Sequence, residues 1–182
     1  MKKIAVHLAN GFEEIEAITI IDVLRRANLK VITVSITEEY QVTGAHQIAI
    51  IADKLFPEVN YQEIDVLVLP GGMPGAKNLD QHQGLQKQIL QFNKEKKLLG
   101  AICAAPMVLG HLHILEGKKA VCYPGFESEL TGAEVLEVPV ICSDNIVTGR
   151  GVGAALKFSL MLVELLDNKQ KAEALAKAML VE

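Results

Sequence analysis

The sequence contains no tryptophan, few aromatic residues (4%) and only three cysteines in 182 residues. Few aromatics leave Ala, Val, Ile and Leu to build the interior, and with half the residues hydrophobic this points to an α/β protein. Three cysteines without a pairing pattern argue against a disulfide framework and for a reducing, cytoplasmic setting. Positive charge is not in excess either. A formal net charge of −4, with no basic arm or like-charge block, argues against nucleic acid or an anionic membrane as partner. No apolar run approaches the length of a membrane span. Met1-Lys2-Lys3-Ile4 leads directly into a strand pattern, with no signal-peptide apolar region. Internal repeats, linkers and low-complexity stretches are missing too, so residues 1–182 are read as one domain. That length suffices to bury about 70% of the unfolded surface.

What is present is an alternation of strands and helices. Ile4–Ala9 reads as a buried parallel strand, Asn10-Gly11 as a turn and Phe12–Ala27 as a helix. Val31–Ile36 is a second strand, and Glu38–Asp53 carries a small hairpin around Thr43-Gly44-Ala45. Asp65–Leu69 is a core strand ending at Pro70-Gly71-Gly72, where two glycines let backbone approach a ligand closely. A helix over Gln83–Lys97 follows. Lys119–Cys122, Ala133–Val138 and Ile146–Thr148 read as strands, the last two separated by a turn at Ser143-Asp144-Asn145. Gly151–Leu166 reads as an apolar helix and Lys169–Leu180 as an amphipathic terminal one. This order implies a parallel sheet covered on both faces, with sites at the carboxyl ends of its strands. Gly11, Gly72 and Cys103 all lie at such ends.

Cys103 is the sharpest of these signals. The apolar run Leu98–Ile102 ends at it and a helix-forming run begins immediately afterwards, among the small residues Gly100, Ala101, Ala104 and Ala105. That is the layout of a nucleophile elbow. Unpaired N–H groups and the positive end of the following helix favour a thiolate there, and Pro106 suits the first helical turn. The competing reading is a buried small hydrophobe. Glu16 interrupts an otherwise apolar helix face in line with Ile20, Val23 and Ala27. It lies either at the rim, with its carboxylate in water, or deliberately buried, and its own segment favours the rim.

Two other patterns carry no chemistry. Gly149-Arg150-Gly151-Val152-Gly153-Ala154 resembles a dinucleotide fingerprint, but no strand with an acidic residue follows, so its glycines serve helix–sheet packing. His7, His46, His82, His111 and His113 form no ligand-spaced pair with the cysteines, so no metal and no cofactor are expected. Cys122 and Cys142 fall in strand patterns and read as core.

Taken in order, Gly11-Phe12-Glu13-Glu14-Ile15-Glu16, Leu69-Pro70-Gly71-Gly72, Ala101-Ile102-Cys103-Ala104-Ala105-Pro106 and Thr148-Gly149-Arg150-Gly151 resemble the ThiJ/PfpI family, in its parkinsonism-associated deglycase branch. The resemblance implies a flavodoxin-like three-layer sandwich of the class I glutamine amidotransferase-like group, usually a homodimer. It makes Cys103 the reactive cysteine and Glu16 the acid hydrogen-bonded to it, now buried. The N–H groups of Gly72 and Ala104 would form an oxyanion-hole-like pocket, with Gly71 and Tyr123 at the substrate. Ala104 stands where protease relatives have a histidine, and no downstream His-x-Glu occurs. A Cys-His-acid hydrolase mechanism is therefore unsupported. His46 and Tyr123 replace an arginine and a histidine of the deglycase pattern.

Two acids held close and partly buried share a proton. With the helix end favouring the thiolate, Glu16 keeps the proton, and the Cys103 thiol is expected below its ordinary value of about 8.5. The implied activity is that of a glyoxalase or deglycase. The thiolate adds to a small α-oxoaldehyde or an early glycation adduct, and Glu16 moves the proton. The alternative is a redox-sensing or chaperone-like protein controlled by Cys103 oxidation.

Overall fold

A computed structural model describes residues 2–181. Its centre is a seven-stranded sheet in the order β10-β11-β7-β6-β1-β2-β5. The strands are β1 (Lys3–Leu8), β2 (Lys30–Ser35), β5 (Lys54–Leu55), β6 (Val66–Leu69), β7 (Leu98–Ile102), β10 (Val140–Ser143) and β11 (Ile146–Gly149). All neighbours run parallel except β10, which is antiparallel to β11. The inner order β2-β1-β6-β7-β11 is that of the flavodoxin-like doubly wound fold, and its topological switch lies between β1 and β6.

β1 and β6 are apolar and buried almost throughout, as strands covered on both faces must be. Helices α1 (Glu14–Arg26), α5 (Ala155–Leu166) and α6 (Lys169–Ala178) cover one face. There Ile20, Leu24, Phe158 and Leu162 pack on Val6, Val66 and Val68. Helices α2 (Gly75–Gln81), α3 (Gln83–Lys94) and α4 (Pro106–His111) cover the other. Leu79, Leu85, Ile89 and Phe92 pack there on Leu67 and Leu69. The expected hairpin is present as β3 (Gln41–Thr43) and β4 (Ala49–Ile51), an antiparallel pair outside the main sheet. No helix among the described residues is long and apolar enough to cross a membrane.

The region after α4 departs from the sequence reading. The expected strand Lys119–Cys122 shortens to β8 (Lys119–Ala120), and Ala133–Val138 shortens to β9 (Glu134–Val135). These two pair with each other in a small separate sheet. The turn at Asp144-Asn145 joins β11 instead to β10, an unforeseen edge strand. Only weak, half-buried patterns mark these segments. Cys142 is accordingly half-buried on the edge strand rather than in the core, and Cys122 is buried just beyond β8. Residues 152–154 form a 3-10 turn, so α5 starts at Ala155 rather than Gly151. Helix α2 was also unforeseen.

Candidate active site

The connections leaving β1, β6 and β7 converge at the carboxyl edge of the sheet, beside the switch in strand order. β7 delivers Cys103 into a turn of residues 103–105, and α4 begins only at Pro106. The elbow is therefore real but is a three-residue turn, not a direct strand-to-helix junction. Cys103 has φ +64°, a left-handed conformation that costs a non-glycine residue about 1–3 kcal/mol. Two other segments impose it. The Cys103 N–H donates to the Gly149 carbonyl at 2.9 Å, and its own carbonyl accepts from the Tyr123 N–H at 2.8 Å. Only 8% of the residue is exposed.

Glu16 reaches the same point from α1. It is 0% exposed, which overturns the rim position suggested by its helix and agrees with the role implied by resemblance. Its Oε2 accepts the Gly71 N–H at 2.9 Å. Its Oε1 is buried without a hydrogen-bond partner among the described residues, and the Cys103 thiol and the Gly71 N–H both draw the carboxyl's pKa down. Gly71 makes this approach possible. A Cβ there would lie 2.5 Å from Cys103 Cβ and 2.7 Å from Glu16 Oε2, distances no real side chain accommodates. Gly72, at φ +91°, then turns the chain so that its N–H and that of Ala104 act on the sulfur.

The electrostatics follow from burial. Desolvation raises the Glu16 carboxyl from its ordinary 4.5 to about 7, against the pull of Cys103 and the Gly71 N–H. Desolvation, then the Glu16 charge, pushes the Cys103 thiol up to about 12, while the Gly72 and Ala104 N–H groups draw it down. Burial thus outweighs the helix end, which corrects the expectation of a depressed thiol. The two acids form one unit that gives up its first proton near neutrality and its second only in strong alkali. Among the described residues the groups acting on the sulfur are Glu16, Gly72 and Ala104, with no histidine among them.

The structure therefore brings Cys103, Glu16, Gly72 and Ala104 to one point. Gly71 is different. It is buried with its N–H committed to Glu16 and its carbonyl to the Glu13 N–H at 2.9 Å, so both of its backbone polar groups are engaged in holding the acid. Tyr123 is half-exposed and lines a neighbouring cavity with Arg150. Sequence reasoning assigned Glu14 no role in the site. Glu14 is 5% exposed. Its Oε1 accepts the His46 N–H at 2.6 Å and its Oε2 lies 2.8 Å from His46 Nδ1. This latches the β3–β4 hairpin to the start of α1 and raises the His46 pKa. Glu13, Glu14 and His46 hold possible metal-ligating atoms within 4.8 Å of one another. Both Glu14 oxygens are already engaged by His46, however. Two successive glutamates at the helix start, and a histidine in the hairpin segment, are the signal that sequence offered for this latch.

Comparison with known proteins shows the family and the fold. The DJ-1/PfpI family matches residues 2–165. Protein DJ-1 homolog B of Arabidopsis thaliana is 39% identical over 94% of this chain, which spans only 40% of that relative. The glutathione-independent glyoxalase DJR-1.2 of Caenorhabditis elegans is 32% identical over 91% of this chain and 88% of its own. Among solved structures, oxidized Toxoplasma gondii DJ-1 superposes with a TM-score of 0.95 at 37% identity, covering 99% of this chain and 98% of that one.

Proposed function

This chain belongs to the DJ-1/PfpI family, and on that premise we propose that it is a cofactor-independent cysteine enzyme acting on α-oxoaldehydes or early glycation adducts. The observation that carries the reading is the convergence of the Cys103 sulfur, the Glu16 carboxyl and the Gly72 and Ala104 N–H groups. Support also comes from the relative named as a glutathione-independent glyoxalase.

The first proton leaves Glu16, whose carboxylate then takes the Cys103 proton as the sulfur attacks. The Gly72 and Ala104 N–H groups favour charge on the sulfur during that transfer. The thiolate adds to the aldehyde carbon, Glu16 protonates the nascent alkoxide, and the two N–H groups stabilise the oxygen as its charge develops. Glu16, now a carboxylate, removes the proton from the former aldehyde carbon and returns it to the neighbouring carbon, while the hydroxyl proton on the first carbon's oxygen passes to the oxygen of the second. The first carbon is oxidised and the second reduced, leaving a hydroxyacyl thioester on Cys103. Water cleaves that thioester to release a hydroxy acid and restore the thiol. Carbon supplies both oxidant and reductant, so the cycle consumes only water.

We propose further that the protein is a homodimer, supported by the large apolar side chains left exposed on α1 (Ile15, Ile18) and on the hairpin segment (Ile48, Ile51). Three free cysteines suit a reducing cytoplasm. A redox-sensing or chaperone-like role is the second reading, favoured by the unpartnered Glu16 Oε1 beside an oxidisable sulfur. Methylglyoxal turnover to lactate by the purified protein, lost in Cys103→Ala, tests the enzyme reading. Absence of turnover together with peroxide-dependent client binding would favour the second.

A further inference from the structure

A cavity of about 510 Å³ opens beside the elbow, within the range of sites for small organic ligands, on the order of 300–1,000 Å³. Its walls are fastened to Cys103 itself. One carries Tyr123, whose N–H donates to the Cys103 carbonyl, and the other begins at Arg150, next to the Gly149 carbonyl that accepts the Cys103 N–H. The Tyr123 ring lies against Gly151, close enough that a Cβ there would sit 3.2 Å from it. Methylglyoxal would fill little of this space.

The lining has a definite chemistry. Pro124, Pro139 and Val152 supply apolar surface, while Arg150 and Lys157 supply two cations. One carboxylate, Glu137, shares the wall, but its side chain is 89% exposed and its oxygen lies 3.8 Å from the Arg150 guanidinium. Such a pair contributes about 1 kcal/mol or less. The other Arg150 contact, to the Glu137 carbonyl, is long at 3.4 Å. Lys157 forms no ion pair among the described residues. The guanidinium is thus free to grip a planar or tetrahedral anion through paired N–H donors.

On the α1 side of Cys103 lies the buried Glu16 carboxyl, with Glu14 at the start of the same helix already paired with His46. An elongated substrate with an anionic end meets two cations on the cavity side. That polarity would orient its carbonyl toward the sulfur before reaction, which is how remote contacts lower a barrier.

We propose that this cavity is an anion-recognising specificity site, which selects carbonyl substrates bearing a carboxylate or phosphate at the end remote from the aldehyde. The proposal rests on the aldehyde reading for its substrate and on the cavity alone for its anion. Dioxovalerate, an α-oxoaldehyde with a terminal carboxylate, should show at least about tenfold higher kcat/KM than propylglyoxal, its uncharged counterpart. Arg150→Ala should bring that ratio close to one, and Lys157→Ala part of the way. Lys157 is exposed at the start of α5, so its variant keeps the test open if Arg150→Ala fails to fold. Calorimetry with levulinate, which has the carboxylate but no aldehyde, should show binding that weakens about tenfold in Arg150→Ala. Tighter binding of inorganic phosphate than levulinate would assign phosphate as the natural tail, and the reverse would assign carboxylate. Arg150-dependent binding without turnover of either aldehyde would uphold the anion site and remove the aldehyde reading. Equal kcat/KM for the two aldehydes, with neither levulinate nor phosphate bound, would overturn the proposal.

Discussion

The Gly71 N–H holds Glu16 Oε2 at 2.9 Å, across a gap that a methyl group on Gly71 would close. Glycine is required there by lack of space between the acid and the cysteine. Gly71→Ala should force α1 away from the elbow, destabilising the protein by about 1–3 kcal/mol as overpacked cores do. Methylglyoxal turnover should fall further than this loss of stability explains. Urea unfolding beside kinetics checks this, and a variant with unchanged stability would show that the gap is softer than drawn.

Glu16 also gives stability a pH dependence. Its folded pKa of about 7 lies above its ordinary 4.5, so its contribution is complete below pH 4.5 and is lost as pH rises through 7. The shift corresponds to about 3 kcal/mol. Wild type should therefore lose stability relative to Glu16→Gln between pH 4.5 and 7.5 by that order. Denaturant unfolding of both proteins across this range measures it. Parallel curves would mean that the carboxylate is solvated.

The cysteines should separate cleanly. Cys103→Ser should abolish turnover, because no histidine stands by to activate a hydroxyl. Cys122→Ser and Cys142→Ser should leave turnover intact and affect melting at most, with buried Cys122 the more sensitive. Loss of activity on changing Cys142 would require a role for the edge strand that its position does not suggest.

Much of this site could be read in the sequence because strand ends punctuate it. An apolar run stopping at Cys103, and a core strand stopping at Gly71-Gly72, are local patterns that survive into the fold. The burial of Glu16 is not local. Its helix alone favoured the rim, because what buries it is Gly71, fifty-five residues away. The same holds for the thiol. The helix end pointed to a lowered pKa, whereas desolvation by packed neighbours raises it, and packing is not written in any one segment. The short strands β8, β9 and β10 were misread for a related reason. Two to four residues carry too little periodicity to show which partner they will find.

The central claim is that Cys103 and Glu16 act as one acid whose single remaining proton Glu16 delivers. The direct measurement is the rate of Cys103 alkylation against pH, in wild type and Glu16→Gln, beside methylglyoxal kcat/KM. The account predicts that wild-type alkylation and kcat/KM rise together with an apparent pKa near 7, where the pair loses its first proton. In Glu16→Gln the neighbouring charge is gone, but the burial that chiefly raises the thiol remains and no base is left to take its proton. Alkylation at neutral pH should fall, its rise moving toward alkali, and turnover should fall about a hundredfold or more for want of the general acid–base. Turnover in Glu16→Gln within a few fold of wild type, or wild-type alkylation that begins to rise only in alkali, would contradict it.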